Sequence, residues 1–145
     1  MNKEEKRIAR CTCLKILYAN SRSGNLFKDV LANFFNIEKN NSEEFLNKSQ
    51  IKYATMLFDL TVLHTESLDE MISLKLENWK IERVALMDKM ILRMSLAEML
   101  YVQSVPPKVS IAEGVEIAKQ FSTEDSSSFV NGILDAIYNE KKATL

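Results

Sequence analysis

The chain has 145 residues, of which 46% are hydrophobic and 27% charged, with a formal net charge of −1. That length matches one ordinary domain, able to remove roughly two thirds of its unfolded surface from water without a covalent or metal staple. The near-neutral balance argues against a protein that coats nucleic acid indiscriminately, three Gly and two Pro are too few for a turn-rich all-β fold, and no apolar run is long enough to span a membrane.

The first helix is predicted from about Lys3 to Asn20, ended by Ser21-Arg22-Ser23-Gly24, where Gly supplies the left-handed conformation of a C-terminal cap. Its Lys- and Glu-rich start lacks the apolar segment of a secretion signal, so a cytoplasmic location is expected. Lys3, Lys6, Arg7 and Arg10 fall within an arc of about 100° that continues as Leu14, Leu17 and Tyr18. One face is therefore basic in its first turns and apolar afterwards, and the helix dipole adds to its attraction for an anion such as phosphate. Cys11 and Cys13, the only cysteines, point in different directions on a helix, and His64 has no partner of ligand spacing. Neither a disulfide nor a metal site is expected.

A short second helix is read through Leu26, Phe27, Val30, Leu31, Phe34 and Phe35, then an exposed loop from Glu38 to Lys48. A third helix, from about Ser49 to Thr65, shows Ile51, Ala54, Leu57 or Phe58, Thr61 and Val62 at helical spacing. The pattern restarts with Leu68, Met71, Ile72, Leu74, Leu76 and Trp79, and continues in a helix carrying Met87, Met90, Ile91, Met94 and Ala97. Its methionines are expected to fill core. Arg93 lies among apolar neighbours, where an unpaired guanidinium is costly, so a carboxylate from another helix should meet it; Glu98 and Glu113 are both candidates.

After Pro106-Pro107, Ser110 and Glu113 have the S-x-x-E spacing of a capping box, which predicts a helix starting at Ser110 with Ile111, Val115, Ala118 and Phe121 on its buried side. Ser122-Thr123-Glu124-Asp125 supplies a second N-cap, followed by a last helix with Val130, Ile133, Leu134 and Ile137 as its stripe. Phe129 lies about 100° from Val130 and so at the edge of that stripe, where it either covers a neighbouring helix or stacks on a ligand. Gly132, next to Asn131, costs a helix about 1 kcal/mol relative to Ala. Something should approach it closely, whether another helix, a phosphate backbone or a partner loop. The fold expected is all-α, with about seven helices in two packed sub-bundles (about 1–66 and 67–145) forming one domain.

Catalytic groups are not expected. Glu113 with Glu116, Ser126-Ser127-Ser128 and His64 could be offered as acid-base or nucleophilic residues, but no motif supplies the positioned base and oxyanion donors that serine activation needs. No Gly-rich loop suggests a cofactor.

Pro106, Val109, Ile111, Glu113, Ala118-Lys119, Phe121, Asp125-Ser126, and Phe129-Val130-Asn131-Gly132 with Leu134-Asp135, taken together, resemble the C-terminal signature of the NusB family of bacterial transcription antitermination factors. Asp88-Lys89-Met90-Ile91-Leu92-Arg93 with Glu98-Met99-Leu100 resembles the family's preceding helix, and Arg7, Ala9-Arg10 and Leu17-Tyr18 its first. The resemblance covers nearly the whole chain, although Gly24 to Lys80 carries little of it.

That resemblance implies two packed helical subdomains and a non-enzymatic adaptor. Such an adaptor pairs with the small-subunit ribosomal protein NusE, recognises single-stranded boxA RNA of ribosomal operons, and helps RNA polymerase read through terminators. The family's basic N-terminal segment takes part in RNA binding. Lys6, Arg7 and Arg10 stand at the matching positions and Lys3 extends them, whereas Ile8 and Cys11 replace residues that are commonly arginine and acidic. Engagement of about four phosphates would give a salt slope near −2.8. Phe129 is the candidate for base stacking, with Asn131 and Gly132 beside it. Tyr18, Asp88 and Asp125 carry over as residues near the NusE face, each also readable locally: Tyr18 as core edge, the two aspartates as carboxylates at helix N-termini.

Two other functions fit less well. One is a helical scaffold that binds protein with little RNA affinity, a reading favoured by Ile8, by Ala136 where relatives often have lysine, and by Glu140. The other is the NusB-like module of a ribosomal RNA methyltransferase, which the end of the chain at Leu145 disfavours. The free protein is expected either as a monomer or as a homodimer that hides its RNA face.

Overall fold

The computed structural model describes residues 1–23 and 46–145, which form six α-helices and one 3-10 turn, with no strand among them. The expected short helix through Leu26 and Phe35, Gly24, and most of the expected loop after Glu38 lie outside the described residues. The chain divides into two compact units, Met1–Phe58 and Asp59–Leu145.

In the first unit, α1 spans Lys3–Ser23 and α2 begins at Lys48, running to Leu63. Both start with a reciprocal cap. Asn2 Oδ1 accepts from the Glu5 N–H at 2.8 Å while Glu5 Oε1 accepts from the Asn2 N–H at 3.2 Å. Asn47 and Gln50 repeat this exchange at 2.8 and 2.9 Å. Glu5 then joins the two helix starts, its Oε2 accepting from Asn47 Nδ2 at 2.6 Å and its backbone carbonyl from Gln50 Nε2 at 3.0 Å. Of the apolar continuation expected on the α1 face, Leu14 and Leu17 are at most 4% exposed and Tyr18 is half-buried, while the buried side of the helix extends past that arc to Ala9, Cys13 and Ile16.

In the second unit, α3 (Thr65–Ser73), α5 (Pro107–Phe121) and α6 (Glu124–Lys141) pack around α4 (Leu86–Tyr101), with a 3-10 turn at Ile81–Arg83. Met90 to Leu92 and Met94 to Met99 are all buried except Arg93, which is intermediate, so α4 is enclosed on nearly every side. Its methionines Met90, Met94 and Met99 fill core as expected. The α6 stripe of Val130, Ile133, Leu134 and Ile137 is buried throughout. Thr123 caps α6, its Oγ1 accepting from the Ser126 N–H at 3.1 Å, with Glu124 and Asp125 in the first turn. His64, at the break between α2 and α3, stacks on Tyr101 with ring centroids 4.0 Å apart.

Three expectations are corrected in this unit. Helix α5 begins at Pro107, not Ser110, because proline suits the first helical position and leaves no N–H to satisfy. Ser110 and Glu113 are consequently buried inside the helix, and Ser110 Oγ donates to Glu98 Oε1 at 2.8 Å. Arg93 is met by neither Glu98 nor Glu113 but by Asp69 of α3, in a two-pronged pair with both bonds at 2.6 Å. The glycine that a neighbouring helix approaches closely is Gly114: a Cβ there would lie 2.6 Å from Ser95 Oγ and 3.3 Å from Leu134 Cδ1, whereas a Cβ on Gly132 would meet nothing within 4 Å.

Candidate functional site

The candidate residues fall into two groups, one in each compact unit. On α1, Lys3 is exposed and Lys6 and Arg7 are half-buried, while Arg10 is only 3% exposed. Lys6 Nζ sits 5.3 Å from the centroid of the Tyr53 ring on α2, a cation–π contact that holds the ammonium at the surface of the unit. The accessible basic arc is therefore Lys3, Lys6 and Arg7, with Arg10 sunk beneath it. Farther along α1, Tyr18 is half-buried and its hydroxyl accepts from Arg22 Nη1 at 3.3 Å. That hydrogen bond favours the charged guanidinium and pushes the Arg22 pKa up.

In the second unit, Asp88 is 8% exposed and acts as a clasp between helices. The hydroxyls of Ser122 and Ser126 donate to its two oxygens, each at 2.9 Å, tying the first turn of α4 to the start of α6. Asp125 lies on the open side of the same α6 turn and is exposed. One turn farther, Phe129 is half-buried, and Asn131 and Gly132 are exposed.

Phe129, Gly132, Ile133 and Ala136 recur at helical spacing and form one wall of an open cleft of about 510 Å³; Leu74 to Trp79 form the other. Across it the rings of Trp79 and Phe129 meet edge to face, centroids 6.2 Å apart at 67°. Phe129 is thus neither sealed in the core nor free: it stands in the wall of an open cleft beside Gly132. Trp79, 52% exposed, was not singled out from sequence, where it reads as the last apolar residue of a stripe. Its isolation in the stretch Leu76-Glu77-Asn78-Trp79-Lys80, with Glu82 and Arg83 rather than apolar residues three and four positions beyond it, is the signal that could have marked it.

Among the described residues no group of three or more His, Cys, Asp and Glu side chains could hold a metal, and no helix is long and apolar enough to cross a membrane. The class so defined is a small all-helical protein with cations and aromatics at its surface. Its architecture is that of solved antitermination factors. T. maritima NusB superposes with a TM-score of 0.81 at 30% identity, covering 93% of this chain and 91% of that one. The crystal structure of the antitermination factors NusB and NusE in complex with dsRNA has a matching chain with TM-score 0.82 and 28% identity, covering 96% and 99%.

The NusB family model matches residues 7–139, and the chain belongs to the NusB family of transcription antitermination proteins. The transcription antitermination protein NusB of Thermodesulfovibrio yellowstonii is 42% identical over 143 residues, covering 94% of this chain and 93% of that protein. The protein of the same name from Chloroherpeton thalassium is 46% identical over 98 residues, 66% of this chain; the match spans only 46% of that relative, less than half its length.

Proposed function

We propose that this chain is a non-catalytic RNA-binding adaptor that pairs with a NusE-type ribosomal protein in the cytoplasm. In this reading it recognises boxA-type single-stranded RNA of ribosomal operons and joins the antitermination complex on RNA polymerase. Lys3, Lys6 and Arg7 attract the phosphates and Arg10 supports them from beneath. Phe129 stacks a base, and Asn131 and Gly132 admit the backbone beside it. Tyr18, Asp88 and Asp125 lie at or near the NusE-type partner, with Asp88 acting through the clasp and Asp125 by direct contact.

The observation that carries this reading is Phe129, a half-buried ring lining an open cleft beside a glycine whose Cβ position is met by none of the described residues. Support comes also from the related chain that was crystallised with NusE and dsRNA. Phosphates alone carry no sequence information, so the preference for one RNA must come from base contacts of this kind. Since an aromatic face needs an unstacked base, a single strand should bind more tightly than a duplex of the same sequence.

The test is a gel-shift titration of a boxA-type strand and a scrambled strand, with and without the NusE-type protein. Selective binding that the partner strengthens is expected, and Phe129→Ala should weaken it while the chain stays folded. Equal affinity for both strands would refute the reading. A homodimer of the free chain that covers the same face belongs to this proposal: sizing at rising concentration should then show a dimer that RNA and the partner dissociate.

A further inference from the structure

Trp79 is the only tryptophan in the chain, and half of it faces solvent. Besides the Phe129 cleft, with which it shares Asn78 and Trp79, it lines a second open cleft, of about 660 Å³, together with Lys80 and Arg83. The 3-10 turn explains the company it keeps. Lys80 caps the turn, its carbonyl accepting from the Arg83 N–H at 2.9 Å, and that bond keeps the two cationic residues close enough to line one cleft. Lys80 and Arg83 are exposed, and among the described residues no carboxylate lines this cleft.

We propose that Trp79, Lys80 and Arg83 form a second RNA contact in which the indole face takes one unpaired base and the two cations hold the phosphates beside it. The inference rests on the RNA-binding reading above and extends it to residues that reading does not use. An aromatic face flanked by cations is what a single strand requires, since every base has a π face and every link a negative charge. An apolar protein surface would instead strand an ammonium and a guanidinium without partners. The edge-to-face contact with Phe129 sets the two rings at an angle. Trp79 lines both clefts and Phe129 the first, so the pair offers a strand two neighbouring rings.

Because the tryptophan is unique, its fluorescence reports this contact without a label. The full chain is titrated with a short boxA-type single-stranded RNA, and binding is measured in parallel by gel shift. Saturable quenching with the gel-shift midpoint is expected. Trp79→Ala should weaken binding roughly five- to 150-fold, the range for loss of one stacked base, and Trp79→Phe should restore most of it. Joint Lys80→Glu and Arg83→Glu should make the slope of log affinity against log salt shallower by about 1.4, from roughly 0.7 per phosphate contact. If the wild-type chain binds RNA without quenching, and Trp79→Ala and the charge-reversed variant bind as well as it does, the inference is overturned while the RNA-binding reading stands. If the wild-type chain binds no RNA even with the NusE-type protein, both fall. Quenching by an acidic peptide but not by RNA would assign the cleft to a protein partner and overturn the proposal.

Discussion

Replacing Gly132 with alanine should make the protein more stable and worse at binding RNA. The glycine lies within α6, is exposed, and a Cβ built on it meets nothing within 4 Å, so the methyl group costs no packing. Alanine then gains the helix-propensity difference of about 1 kcal/mol, partly by reducing the freedom of the unfolded chain. For a chain of this size that raises the thermal midpoint by about 2–4 °C. Gly114→Ala is the internal control: its Cβ would lie 2.6 Å from Ser95 Oγ and 3.2 Å from Ser95 Cβ, and overpacking of about 1–3 kcal/mol should outweigh the same propensity gain. Calorimetry measures the two stabilities, and a gel shift with boxA-type RNA and the NusE-type protein measures function. If Gly132→Ala stabilises the chain and leaves RNA affinity unchanged, no RNA backbone approaches that residue. If it destabilises the chain, the open surroundings of Gly132 are themselves wrong.

Four further outcomes are expected. Asp69→Ala leaves the Arg93 guanidinium, 18% exposed, without its carboxylate and should cost on the order of 2–3 kcal/mol by denaturant unfolding; an unchanged midpoint would mean the pair contributes nothing. Asp88→Ala removes the carboxylate that accepts from Ser126, while Ser122 can still donate to Ser126 Oγ at 2.8 Å, and should cost about 1–2 kcal/mol, so any loss of partner binding has to be judged against the stability of the variant. Glu140 is held below its ordinary carboxylate value of 4.5 by the hydrogen bond and charge of Lys75, 2.8 Å away. Its stabilising contribution is present above the unfolded value and lost as pH falls through the lower folded one; NMR titration should show the midpoint rising in Lys75→Met. The α1 cations should contribute about −2.1 to the salt slope, from about −0.7 for each of Lys3, Lys6 and Arg7, since Arg10 is too buried to count as a fourth. Charge reversal of those three should remove that part of the slope, and a slope that stays put would refute their role.

Local patterns were legible in the sequence where one helix decides its own fate. The α6 stripe follows from spacing and its N-cap lies within the run Ser122 to Asp125, and on α1 Leu14 and Leu17 are buried as the periodicity says they should be. Features that depend on a second helix were not. Ser110 and Glu113 have the right spacing for a capping box, yet Pro107 starts the helix earlier and Ser110 finds Glu98, twelve residues back. Arg93 needed a carboxylate, but only the packing of α3 on α4 selects Asp69. Both glycines sit in helices, and nothing short of the packed neighbours tells that Gly114 is crowded and Gly132 bare. For the candidate site, Phe129 was readable as an edge aromatic because it breaks a stripe. The burial of Arg10 and the pairing of Trp79 with Phe129 required the folded chain.

The most direct measurement is the affinity of the chain, mixed with the NusE-type protein, for a boxA-type strand when Phe129→Ala and charge reversal of Lys3, Lys6 and Arg7 are introduced singly and together. If one strand spans both groups, each change weakens selective binding and the combined variant loses it, with circular dichroism unchanged. If both altered proteins still prefer the boxA strand over its scrambled counterpart as strongly as the wild type, the residues named here do not hold the RNA.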